Sequence, residues 1–90
     1  MIAALDSRRE EVDEILRRSA EHWTLERIAA THRAVLRAAI AELLSRPGTP
    51  ARVVLDEAIE VAKRFGAAES GRFVNGVLDR AAKLLRPGEF

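Results

Sequence analysis

The sequence predicts an all-α fold, a compact bundle of four main helices plus one short helical turn. Three observations carry this. Ala, Leu, Arg and Glu dominate, and their side chains lose little rotamer freedom on a helix. Apolar residues recur at three- and four-residue intervals, which lines them along one face of a helix. Glycine and proline, five and three in number, mostly fall between those periodic stretches. Ninety residues allow one domain with a modest core, and 48% apolar with 32% charged residues is the balance of a water-soluble globule. With Trp23, Phe65, Phe73 and Phe90 as the only aromatics, that core is built from Leu, Ile, Val and Ala.

The first helix is expected over residues 1–21, starting near Ile2, with Leu5, Val12, Ile15, Leu16 and Trp23 on one stripe. Asp13 with Arg17 and Glu14 with Arg18 stand four apart in the favourable acid-first order, as a solvated face. Residues 24–45 form the second helical segment. Thr24 caps a short turn to Ile28, Thr31 caps the main helix to Ser45, and Val35, Leu36, Ile40, Leu43 and Leu44 make its apolar face. Arg33 and Arg37 lie on a more exposed side.

Pro47-Gly48-Thr49-Pro50 cannot extend that helix, and Thr49-Pro50 reads as a cap followed by a first helical residue. The third helix, 50–65, is expected to bury Val53, Val54, Ala58, Val61, Ala62 and Phe65, with Gly66 as its C-terminal cap. Ser70 caps the fourth, 70–85, whose stripe is Phe73, Val74, Val77, Leu78, Ala81 and Leu84 before Pro87-Gly88 ends it. Gly76 inside this helix implies either close helix packing or simple tolerance of a weak helix former.

Several function classes drop out. No cysteine means no disulfide, thiolate nucleophile or thiolate metal site. Phosphate-binding glycine loops, nucleophile elbows and zinc-helix motifs are absent, and His22 and His32 share no carboxylate at metal-ligand spacing. The chain is therefore expected to be no enzyme and to need no cofactor. No apolar run is long enough for a bilayer and no secretory pattern opens the chain, so no membrane association and a cytoplasmic location are the default.

Charge is distributed unevenly. Six basic residues (Lys63, Arg64, Arg72, Arg80, Lys83, Arg86) and two acidic ones (Glu69, Asp79) give residues 63–86 a charge of +4. The whole chain carries +1, which leaves −3 for the remainder. Such asymmetry is the footprint of a polyanion site. Lys63, Arg64, Arg72 and Phe73 flank the expected loop Gly66–Gly71, where helix ends and cations would converge on phosphate. Phe73 has two available duties, core packing and stacking on an unpaired base, and its stripe position weights the first.

Glu57-Ala58-Ile59-Glu60-Val61-Ala62-Lys63-Arg64-Phe65-Gly66, continuing through Glu69-Ser70 to Arg72-Phe73-Val74-Asn75-Gly76-Val77-Leu78-Asp79-Arg80, resembles the C-terminal signature of the NusB family of bacterial transcription antitermination factors. Arg33-Ala34-Val35-Leu36-Arg37 with Glu42-Leu43, and Trp23-Thr24-Leu25-Glu26-Arg27-Ile28 before it, are similar to upstream family segments, so the likeness runs from about Leu5 to Pro87. The resemblance implies a helical protein that binds boxA-like single-stranded RNA of ribosomal leaders, paired with a small-subunit ribosomal protein. Carried over, Arg72 and Phe73 match the RNA-contacting pair, Glu69 stands beside the RNA, and Glu26, His32 and Arg33 fall on the partner surface. Lys63 and Arg64 join the RNA set by their charge and place. His32 occupies a position that is usually acidic, and the family's arginine-rich N-terminal half has no counterpart here.

That difference has a physical consequence: fewer phosphate contacts mean weaker and less salt-sensitive binding. It also implies apolar surface left for self-association, hence a homo-oligomer. The alternative function is a shortened interaction or dimerisation module without strong RNA binding. A third, weaker alternative places the domain beside a ribosomal RNA methyltransferase.

Overall fold

The computed structural model describes residues 2–20, 28–65 and 68–89, with side chains over 9–20, 28–64 and 71–89. Four helices follow one another: α1 (Ile2–Ser19), α2 (Ala30–Ser45), α3 (Ala51–Phe65) and α4 (Ala68–Leu85), then a 3-10 turn at Pro87–Glu89. The fold is all-α, with no strand among the described residues. No helix among them is long and apolar enough to cross a membrane. The Thr24 and Gly66 caps, Trp23, and all but Ile28 of the expected 24–28 turn lie outside the described residues.

α2 and α4 each pack against all the other helices and so form the centre of the bundle. Their stripes join one core: Leu36, Ile40 and Leu43 from α2, Val74, Leu78 and Ala81 from α4, Leu16 of α1 and Leu55 of α3 are all buried in it. Alanines at 39, 58, 62, 81 and 82 are buried too. Such small residues let helix axes approach toward the short end of the usual 8–10 Å spacing. Ser19 is buried, and its hydroxyl donates to the Ile15 carbonyl at 2.8 Å, so it adds no unsatisfied group.

Three apolar assignments change. Val53, Val61 and Leu84 are 43%, 38% and 53% exposed, because they sit at the edges of their stripes, while Leu55 and Ala82 fill the centre. Side-chain pairing changes as well. Glu14 does bind Arg18, at 3.3 Å, but Asp13 turns from Arg17 to Arg37 of α2. Arg37 Nε and Nη2 donate to its two oxygens at 2.8 and 3.2 Å. A two-pronged, partly buried pair outcompetes a single exposed one, and it ties α1 to α2.

The capping also differs from expectation. α2 begins at Ala30, one residue before Thr31, and Ala29 at its N-cap makes no side-chain bond. Thr31 therefore lies inside the helix, where its hydroxyl is misplaced for capping. α4 begins at Ala68, so Ser70 falls within its first turn instead of capping it. For α3, Pro50 supplies the first carbonyl, accepting from Val53 and Val54, and the Ala51 N–H donates to Glu89 Oε1 at 2.8 Å. The cap thus comes from a residue far along the chain instead of Thr49.

Arg86 completes the arrangement. Its Nη2 donates to the carbonyls of Leu43 at 3.0 Å and Arg46 at 2.7 Å, and its Nη1 donates to Thr49 O and pairs with Glu89 Oε2 at 3.1 Å. A cation at the C-terminal end of α2 and an anion at the N-terminal end of α3 both oppose the local helix dipole. Arg80 plays a similar part for α1, donating to the Ser19 carbonyl at 3.2 Å.

Glu89's carboxyl is held below the ordinary glutamate value. The Ala51 N–H bond is the largest cause and Arg86 reinforces it, while desolvation works the other way. A carboxyl lowered on folding contributes stability that is fully present above its unfolded value of about 4.3 and is lost as pH falls through the folded value. In urea titrations, Glu89→Gln should therefore lose less stability than the parent between neutral pH and about pH 3. Equal losses in the two proteins would remove the carboxylate from its capping role.

Gly76 is exposed within α4, and a Cβ built there meets nothing within 4 Å, so close packing is not the reason for it. With no steric penalty, Gly76→Ala should raise the unfolding free energy by about 0.5–1 kcal/mol through reduced chain entropy. Denaturant unfolding that showed a loss instead would mean the glycine is needed.

Candidate functional site

The residues expected to contact RNA gather where α3 ends and α4 begins. Lys63 and Arg64 occupy the last turn of α3, and Arg72 and Phe73 lie one turn into α4. These two ends stand side by side: a Cβ built at Gly71 would lie 3.4 Å from Lys63 Cε. Arg64 and Arg72 are exposed and make no ion pair or hydrogen bond among the described residues. Lys63 reaches Glu60 only at 4.0 Å, with both side chains more than half exposed. A pair of that kind is worth less than about 1 kcal/mol and leaves the ammonium available.

Phe73 is half-buried and packs against the core. Its ring also meets His32, with centroids 5.8 Å apart and planes tilted by 40°. Core packing therefore occupies part of this ring. The contact also joins two residue sets, because His32 and Arg33, assigned to the partner surface, stand in the first turn of α2. Glu26 lies outside the described residues, and so does the side chain of Glu69, whose backbone is in the first turn of α4.

The remaining cations of the basic segment do not belong to this surface. Arg80 is bonded to α1, Lys83 pairs with Asp79 at 2.9 Å, and Arg86 has only 9% of its side chain exposed among carbonyls of the α2–α3 turn. The segment's +4 is therefore spread along α4 and partly enclosed within the frame. Three cations, Lys63, Arg64 and Arg72, remain together at the α3–α4 end.

Two features escaped the sequence reading. An open cleft of about 350 Å³ lies between α3 and α4, lined by Ile59, Lys63, Gly71, Arg72 and Asn75. The one signal for it was the spacing of Arg72 and Asn75, three apart on one helix face. On another face, two adjoining hollows of about 360 and 310 Å³ form an apolar groove between α2 and α3. They share Val35, Ala38 and Val61, and Glu42 and Glu57 stand at one end. Val61 had been assigned to the core by periodicity, which cannot tell a stripe's edge from its centre. Among the described residues no group of three metal-capable side chains occurs.

Comparison with known proteins gives a consistent result. The family profile described as "NusB family" matches residues 2–83. A transcription antitermination protein NusB of Sorangium cellulosum is 55% identical over 74 residues, covering 82% of this chain and 53% of the relative. The Koribacter versatilis protein of the same name is 48% identical over 80 residues, covering 89% and 55%. That of Thermotoga maritima is 49% identical over 78 residues, covering 87% and 55%. The chain spans about half the length of the curated relatives it matches.

Proposed function

Because the chain belongs to the NusB family, we propose that it is a cytoplasmic RNA-binding factor of transcription antitermination, a binding protein and not a catalyst. Its RNA is a boxA-like single strand from a ribosomal leader, and its partner is a small-subunit ribosomal protein. One observation carries this: an exposed Arg72, without an ion pair or hydrogen bond among the described residues, stands beside a half-buried Phe73, with Lys63 and Arg64 across the helix junction. Cations hold phosphates while an aromatic ring offers a surface for an unpaired base, the combination that single-stranded RNA needs. The Phe73–His32 contact supports a joint complex, since the RNA surface and the partner surface then share a border. An imidazole at His32 in place of the family's usual carboxylate reduces charge complementarity to a basic partner.

The α2–α3 groove favours a second role, docking of protein, for which a second copy of the chain is the simplest occupant. Its floor of Val35, Ala38 and Val61 is apolar, and Val61 is exposed enough to gain from being covered.

Fluorescence anisotropy with labelled boxA RNA tests the first role. Arg72→Ala should weaken binding and reduce the slope of log affinity against log salt by about 0.7, the value of one phosphate contact on a single strand. Lys83→Gln, which removes the same charge from an ion pair with Asp79, should leave the slope unchanged. Equal effects of the two substitutions, or no preference over a scrambled strand, would overturn the assignment. For the groove, light scattering at tens of micromolar should show a dimer that Val61→Glu dissociates, and a clean monomer would rule out the second copy.

A further inference from the structure

One end of the groove between α2 and α3 carries both signs of charge, unpaired within the chain. Glu42, Arg46 and Glu57 all line its larger hollow, together with Val54 and Val61. None of these three charged side chains makes a hydrogen bond or ion pair among the described residues. Glu42 and Arg46 stand four apart in the favourable acid-first order and still do not meet. Nearby charges on α3 are paired locally, Arg52 with Asp56 and Lys63 with Glu60.

Two exposed valines flank Glu57 on its own helix. Val53 and Val61 lie four residues before and after it, 43% and 38% exposed, so the three residues form one ridge of α3. That ridge borders the groove, since Glu57 and Val61 also line it. A ridge beside a groove suits two-fold self-association, because each copy offers its ridge to the groove of the other. Two copies of α3 laid antiparallel and centred on Glu57 place Val53 of one opposite Val61 of the other. Both Glu57 carboxylates then approach the symmetry axis, where like charges repel. Arg46 stands in the same hollow as Glu57, so each copy brings a guanidinium to offset the carboxylate of the other.

We propose that a second copy docks antiparallel along α3, with Arg46 of each copy paired to Glu57 of the other. The proposal rests on the docking role above and deepens it by naming the element that enters the groove and the charges that align it. Both signs at one hollow favour a second copy over a different protein, because a two-fold contact matches each group to its opposite without any further chain. Covering Val53 and Val61 supplies attraction, while the two ion pairs fix orientation and register. Glu42, one turn before Arg46, is the remaining charged group of the hollow.

The test uses the full chain in light scattering and sedimentation velocity at tens of micromolar, with thermal melts to verify folding. Arg46→Glu and Glu57→Arg alter exposed side chains without bonds in the chain, and each should weaken the dimer about tenfold or more. The two together should return it close to the parent's affinity, since the pair is then re-formed with its signs exchanged. Arg18→Glu, which reverses an exposed charge on α1, should change it little. A dimer that Val61→Glu dissociates but that both reversals leave intact would overturn the pairing and leave the docking of a second copy standing. Failure of the double reversal to rescue the single ones would overturn it in the same way. A parent that stays monomeric would remove both and leave the groove to a different protein.

Discussion

The Arg86 guanidinium holds the ends of α2 and α3 in place, and much of the bundle follows from it. Helix ends leave carbonyls and N–H groups without partners, and a small bundle has few long loops to satisfy them. Here one planar, permanently charged group bonds Leu43, Arg46 and Thr49 and positions Glu89 on the Ala51 N–H. A lysine would not substitute, because a single ammonium cannot span carbonyls in a fork. With those ends fixed, α2 and α3 pack together, α4 packs against both, and α1 is secured by Asp13–Arg37 and Arg80.

That frame decides which charges are available for binding. Arg80 and Arg86 are committed to backbone carbonyls, so the basic character of the C-terminal third overstates what a polyanion would meet. Lys63, Arg64 and Arg72 sit where α3 hands over to α4, next to the ring that touches the start of α2. Three helix ends thus meet at one corner of the molecule. Because the Phe73 ring meets His32, a change at either residue would be felt in both α2 and α4.

Much of the architecture was legible in the sequence, for identifiable reasons. The 3.6-residue periodicity of α2 and α4 located the buried faces, and Pro47-Gly48-Thr49-Pro50 marked a turn because two prolines exclude helix there. Helix ends were less legible. Thr31 and Ser70 looked like caps by type, whereas the Ala51 cap is Glu89, which no local pattern can indicate. Asp13 illustrates the same limit, since its i,i+4 partner was visible and its tertiary one was not. Arg72 and Phe73 were marked by charge, spacing and family likeness. The cleft between α3 and α4 is marked in sequence only by the three-residue spacing of Arg72 and Asn75, and the proximity of α3 adds Ile59 and Lys63 to its lining.

The long reach of Arg86 and Glu89 also bears on how the protein is made. Their bonds span 37 to 43 residues, so the helix ends that they satisfy are synthesised well before the groups that cap them. At typical synthesis rates of about 5–20 residues per second, a separation of that size takes on the order of 2–8 s, long compared with helix formation. Until Arg86 and Glu89 are made, the end of α2 and the start of α3 lack the partners that satisfy them here. Fastening these helix ends is therefore a late event in the synthesis of the bundle.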